Sequence, residues 1–349
     1  MIPIETFIRA MPKVELHVHL EGSIRPTTLL ALAQRNNITV PAQTLDQLRA
    51  FYHFTDFTHF IQVYKTIISC LQTPDDFALI AEEFGATMAE QNIRYAEITW
   101  SPVTHVKRLG LPFAVLLAGV NRGRAIARAK YGVEMRWVID IVRNLHAQGF
   151  SGMETAEMAI EGREHGIVAL GLGGMEQGFP PELFTEAFAY ARAHGLHSVP
   201  HAGETEGPAS VWGALRELKA KRIGHGIRSI EDPALIEYLR AQQIPLEVCP
   251  TSNVCIGVIA DQAAHPIRQL YDAGVYVTVN SDDPPMFNTT LTDEYLMLVN
   301  TLGFDLDAIE RLVLNGVRAT LLAAAAKQAM EADFRSEFQQ LRQRYLHAA

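Results

Sequence analysis

Eight short apolar, β-branched segments recur along the chain, separated by stretches of helical period. They fall at 13–20, 92–100, 133–142, 166–172, 196–202, 222–226, 244–249 and 274–281. From the second onward they alternate with amphipathic runs such as PFAVLLAGVNRGRAIARAK and EDPALIEYLRAQQ, several opening on Pro or Asp as helices do. Strands that alternate with helices pair in parallel, and eight such units are enough to close a ring. The expected fold is therefore α/β, a (β/α)8 TIM barrel.

Two departures from a plain barrel are legible. About 70 residues separate the first two segments, so a helical lid insertion is expected at about 23–91. Its FYHFTDFTHFIQVY run offers Phe54, Phe57 and Phe60 either as a wall over a pocket or as the lid's own packing. Past the eighth segment, two or three further helices are expected against the outer ring. No Ser/Gly-rich linker interrupts the 349 residues, which are read as a single domain, 1–349.

The stretch KVELHVHLEG then asks what a strand is doing with Glu15, His17, His19 and Glu21 on one face. In barrel enzymes the working residues sit at the carboxyl ends of strands. His17 and His19 close the first segment, His201 and Glu204 the fifth (SVPHAGE), His225 the sixth (RIGHGIR), and Asp282 with Asp283 the eighth (VTVNSDDPP). Imidazoles with a carboxylate suit zinc, and three or four protein ligands with a place left for water is the catalytic pattern. His17, His19, His201 and Asp282 fit that set. The fourth segment, GIVALGLGG, has no Lys to bridge a second ion, so one Zn2+ per chain is expected.

Asp282 and Asp283 are adjacent, so their side chains diverge and divide the work: the first goes to metal, the second to substrate. Glu204, three residues beyond His201, is placed to hand on a proton, although an acid there could also serve the start of the next helix. His225 lies between two glycines that permit close backbone approach, as a fifth ligand, a base or a buried hydrogen-bonded residue. The remaining histidines, among them His53, His105, His265 and His347, read as surface or lid residues. Cys249 and Cys255 have no base partner and read as packing.

The balance of charge narrows the partners. Net charge is −9, and the densest basic run, NRGRAIARAK at 121–130, is spaced like the wet face of a helix, so nucleic acid is not expected. Three cysteines without CxxC spacing suit reduced thiols, and no stretch reads as a leader or membrane span, so a cytoplasmic location with no membrane partner is expected.

Taken together in this order and spacing, MPKVELHVHLEG, HAGE, RIGHGIR, EVCPTSN and NSDDPPMF resemble the adenosine deaminase family of the amidohydrolase superfamily, over about Met11 to Leu322. The resemblance implies one zinc, held by His17, His19, His201 and Asp282, and hydrolytic removal of a 6-amino group from a small-molecule purine nucleoside. It implies further that Glu204 protonates ring N1, that His225 orients and deprotonates the attacking water, that Asp283 bonds N7, and that Gly174 offers backbone to N3. Nucleoside-specific members usually carry Asp where this chain has Glu21, near the ribose, and Gly-Asp-Glu where it has Gly174, Met175 and Glu176. Gly174 favours a glycosylated ring, hence adenosine and 2′-deoxyadenosine first. Aminodeoxyfutalosine or free adenine are the alternatives. A binding module that had lost catalysis is disfavoured because no ligand or proton-transfer residue is missing.

Overall fold

All eight strands form in the computed structural model, which describes residues 3–345; the chain ends, including His347, lie outside the described residues. They are β1 (Lys13–His19), β2 (Ile93–Trp100), β3 (Glu134–Val142), β4 (Ile167–Gly173), β5 (His197–Ala202), β6 (Ile223–His225), β7 (Leu246–Val248) and β8 (Val277–Val279). Each pairs in parallel with the next, in chain order. The (β/α)8 barrel is as expected.

Closure is made by a bridge between Val18 and Asp282 and by side chains that reach across the gap between β1 and β8. The Leu16 amide donates to Asn280 Oδ1 at 2.9 Å, and the Ser281 amide and hydroxyl both donate to Glu15. The eighth segment is shorter than the sequence suggests because the chain leaves the ladder after Val279 to bring Asn280, Ser281 and Asp282 against β1.

Inside the barrel, one layer is apolar and small, built of Val138, Ala169 and Val199. The others are polar. Arg222 is fully buried between Glu97, at 2.6 Å, and Glu247, and it also donates to the Ala319 carbonyl at 3.0 Å. Such burial costs several kcal/mol per ion unless the charges are paired and bonded, as they are here. Glu247 passes this order upward, since its other oxygen meets His17.

The insertion divides in two. Its last helix, Pro74–Glu90, opens on a Thr73–Asp76 capping box and packs as an ordinary ring helix against Phe113–Tyr131. Gly119 and Gly123 make that contact close: a Cβ would meet the Pro74 and Ala78 carbonyl oxygens at 2.5 and 2.2 Å. The helix Phe57–Ser69 instead lies across the barrel mouth. Three helices follow β8: Leu291–Asn300, Leu306–Ala319 and Ala324–Tyr345. The last buries Phe334 and Phe338, and Phe338 meets Phe7 of the N-terminal helix with ring centroids 6.1 Å apart. No helix among the described residues is long and apolar enough to cross a membrane.

Candidate active site

Four side chains from β1, β5 and the end of β8 converge above the barrel's polar layers. His19 Nε2 lies 3.2 Å from His201 Nε2 and 3.3 Å from Asp282 Oδ1, and His17 Nε2 lies 3.5 Å from the same oxygen. The His17 Nε2 atom is buried and has no hydrogen-bond partner. Two imidazole lone pairs facing each other beside a carboxylate oxygen suit a divalent cation, which accepts all three. Burial alone would lower the pKa of His17 and His19, but Asp282, joined by Glu247 at His17 and by Asp283 at His19, outweighs it and holds them up at about 10 and about 9. A cation bound among these atoms would take the place of those protons.

Outer partners fix the orientation of each group, as metal-site imidazoles require. Glu247 Oε2 stands 3.0 Å from His17 Nδ1, leaving Nε2 to face the cluster, and the Ser252 hydroxyl donates to Asp282 Oδ2 at 2.6 Å. Arg143, fully buried, donates to the His201 carbonyl at 2.5 Å and so ties down the end of β5. Asp140, from β3, was not singled out in the sequence, yet it is buried beside His201. The glycines of β4 explain its place: a Cβ on Gly171 or Gly173 would meet the Asp140 carboxylate at 1.9 or 2.2 Å. The run GLGG thus clears room for an acid on the neighbouring strand.

Two of the candidates hold left-handed backbone, φ +59° at His225 and +65° at Asp282. Such conformations cost about 1–3 kcal/mol each for residues other than glycine and persist only where surroundings impose them. At Asp282 the imposition is visible, since its amide donates to the His17 carbonyl at 3.1 Å and its carbonyl accepts from the His19 amide at 2.9 Å.

Glu204 lies with an oxygen 3.4 Å from His225 Nε2. Burial raises its pKa well above the usual carboxylate range, with Asp282 and Glu176 adding to the effect. Burial and the neighbouring His17 push His225 down to about 3, a neutral imidazole. The loop that carries Glu204 is organised by Glu176, whose carboxylate accepts from the backbone amides of Gly203 (2.7 Å), Glu204 (3.2 Å), Thr205 (2.9 Å) and Glu206 (2.9 Å), and from the Ser210 hydroxyl. A buried carboxylate seated in four amides is a strong constraint. The sequence held Glu176 only as part of a variant triplet, with no sign of this partner.

Asp283 packs directly over Gly22, where a Cβ would lie 1.6 Å from its Oδ1, and that oxygen is buried without a partner. Gly174 has φ +84°, and a Cβ there would crowd Asn144 Oδ1 at 2.5 Å. Both Asp283 and Gly174 line one cavity together with His19, His201, Glu204, His225, Asp282 and Asp140. Phe57, Phe60, Ile61, Tyr64 and Ile68, all from the mouth helix, form its apolar wall, and the same helix places Lys65 in the lining. Phe54 is set back, edge-on to Phe60 at 5.3 Å.

Glu21, expected near a ribose, is buried behind the cavity lining. It is 1% exposed and is not among the cavity-lining residues. Its carboxylate meets His105 Nε2 at 3.0 Å, the Ser101 amide at 3.2 Å and the Tyr64 hydroxyl at 3.4 Å. Tyr64, which lines the cavity, is its link to that space. His105, read as a surface or lid residue, is fully buried as that partner, and His265 is buried as well. The thiol of Cys249 lies near the cluster, but burial raises its pKa well above the usual thiol range, which favours packing.

A barrel with a histidine-carboxylate cluster at its mouth, backed by a buried carboxyl and a buried imidazole from separate strand ends, has the architecture of an amidohydrolase. Residues 12–335 match the profile of the family described as adenosine deaminase, and the chain belongs to that family. It is 42% identical to the aminodeoxyfutalosine deaminase of Streptomyces coelicolor over 93% of this chain and 84% of that one. Among solved structures, adenine deaminase from Arthrobacter aurescens superposes with a TM-score of 0.89 at 32% identity, covering 95% of this chain and all of the other. A zinc-bound amidohydrolase from Burkholderia ambifaria reaches the same TM-score at 26% identity over 99% and 95% of the two chains. The protein is thus a hydrolase of C–N bonds, a deaminase of adenine-like small molecules, with a cluster suited to a divalent metal.

Proposed function

We propose that the chain removes the 6-amino group of an adenine-bearing nucleoside by hydrolysis, giving the 6-oxo purine and ammonia, with one zinc held by His17, His19, His201 and Asp282. The observation that carries this reading is the meeting of Glu204, His225 and Asp283 on one cavity with His19, His201 and Asp282, behind which the fourth ligand, His17, lies buried with Nε2 3.5 Å from Asp282 Oδ1. Those four ligands would hold the ion, which when bound would supply a water of lowered pKa, ~7, as the nucleophile. Glu204, kept protonated by burial, donates to ring N1 as the ring takes up charge from attack at C6. His225 orients the attacking water, Asp283 holds N7 and the backbone at Gly174 meets N3. The apolar wall of the mouth helix keeps bulk water from the ring.

For the substrate, the relative at 42% identity favours aminodeoxyfutalosine over the adenosine that the sequence alone put first. The apolar wall of the mouth helix, with Lys65 beside it, supports a nucleoside extended beyond its 5′ carbon, with an anionic end drawn to Lys65 and repelled by Asp140 and Asp283. Free adenine is the second reading, favoured by the Arthrobacter relative. Measuring kcat/KM for aminodeoxyfutalosine, adenosine, 2′-deoxyadenosine and adenine tests the order. A tenfold preference for adenosine or adenine over aminodeoxyfutalosine overturns it, and no turnover of any of the four overturns the reaction itself.

A further inference from the structure

The buried residues behind His225 form a chain with a fixed direction. Ile267 opens the helix Ile267–Asp272, and its backbone amide donates to His265 Nδ1 at 3.1 Å. A backbone amide can only donate, so His265 Nδ1 carries no proton and its neutral ring bears one on Nε2. That nitrogen lies 3.2 Å from Asn253 Oδ1, which accepts it. The Asn253 amide is thereby oriented, and its Nδ2 points at His225 Nδ1, 3.2 Å away. An NH2 group can only donate, so His225 Nδ1 is an acceptor. Asn253, His265 and His225 are all at most 2% exposed, so water has no access to break the sequence of bonds.

We propose that His265 and Asn253 are positioning residues that set the tautomer of His225, leaving its proton on Nε2, the nitrogen that faces Glu204 and Asp282 at 3.4 and 3.9 Å. The inference rests on the deaminase reading and removes the deprotonating half of the role that the family resemblance implied for His225. A neutral His225 with Nε2–H presents a donor to the site, so it orients the attacking water by bonding to an oxygen lone pair. It does not receive the water's proton at that nitrogen; the Glu204 carboxylate, freed of its own proton once N1 is protonated and 3.4 Å from the same Nε2, takes the water's proton and passes it to the departing amino group, which leaves as ammonia. The PTSN segment, which already supplies Ser252 to Asp282, acquires a second purpose: Asn253 reports to the site the direction of a backbone amide two bonds away.

The direct test is the nitrogen NMR signature of His225 in the metal-loaded protein, using imidazole ¹⁵N labelling and His225→Gln to assign the signals. The expected result is protonated Nε2 and bare Nδ1 between pH 6.5 and 8.5. Protonated Nδ1 overturns the proposal, and this readout does not depend on turnover, so it stands apart from any failure of the deaminase assay. Asn253→Asp supplies the second arm: its carboxylate accepts on both sides and should move the His225 proton to Nδ1. That variant should lose at least tenfold in kcat, with KM within threefold and metal content retained. An Asn253→Asp protein whose His225 signature stays unchanged also overturns it. If Asn253→Asp fails to fold, His265→Gln, which loosens the same chain one bond further away, should show mixed His225 tautomers, and an unchanged single Nε2–H form in that variant counts against the relay.

Discussion

The Asp282 carbonyl accepts the His19 amide at 2.9 Å, so two candidate metal ligands are also the residues that close the barrel. The side chains that would share an ion and the backbones that join β1 to the end of β8 belong to the same residues. Loss of one arrangement therefore strains the other, and this coupling makes the first prediction a thermodynamic one.

Elemental analysis is expected to find about one divalent ion per chain. Stripping it with a chelator should abolish deamination and lower the melting temperature together, because an ion that binds only the closed ring stabilises it by mass action, about 2.7 kcal/mol at 100-fold excess over Kd. Restoring one equivalent of zinc should recover both. A requirement for two equivalents would sink the single-ion reading.

Glu204→Gln keeps the shape of the side chain and removes its carboxylic proton. Turnover should fall by at least ~10²-fold, the usual worth of one general acid, with metal content unchanged. Near-normal kcat in that protein would place the N1 proton donor elsewhere.

Glu176→Gln is expected to act at a distance. The amide can accept from fewer of the four backbone N–H groups and turns its own N–H toward the rest. Leaving buried donors unpaired costs about 1–3 kcal/mol, so chemical denaturation should show a drop of that order. Because the loop carries Glu204, and a shift near 1 Å can cost ~10²-fold in rate, kcat should fall by at least tenfold while KM changes little. Loss of stability with kcat intact would limit Glu176 to a structural role.

Acid sensitivity away from the site should trace to Glu331. Hydrogen bonds from Arg318, at 2.9 Å, and Arg335, at 2.8 Å, hold its carboxyl down to about 2 against a partial cost of burial. A folded-state value below the unfolded 4.5 means that the contribution is present above pH 4.5 and fades as pH falls through 4.5 toward 2. The pairs are partly exposed, so the effect should be about 0.5–1 kcal/mol. Urea titrations of Glu331→Gln should show that deficit at pH 7, diminished at pH 4. An equal deficit at both would mean that packing, and not charge, is what the residue supplies.

The barrel and the four-residue cluster were legible because strand ends are where period-two patterning meets unusual polar residues, and His17, His19, His201 and Asp282 all break an apolar rhythm. Glu176, Asp140 and Asn253 were not. Each owes its importance to a partner on a distant strand or loop: the amides of 203–206, the glycines of β4, and His265. The partner of Glu21 was hidden for the same reason, since nothing near it in sequence announces His105. The left-handed backbone at Asp282 is likewise held by its bonds to His17 and His19, since the modest preference of Asp for that region does not by itself encode it.

The mouth helix does not rest on the barrel as a separate cover. Phe60 stacks on Phe287 with centroids 5.5 Å apart, and Phe54 stands edge-on to the same ring at 5.7 Å. Phe287 belongs to the loop that begins at Asp282, and its amide is bonded to the Asp283 carbonyl. Lid and reaction loop are thus one heritable unit. In a chimera that borrows residues 45–69 from a relative of different substrate preference, the transplant should carry specificity only when the donor's loop at 284–290 travels with it. Exchange of either part alone would leave an aromatic joint cut for the wrong partner.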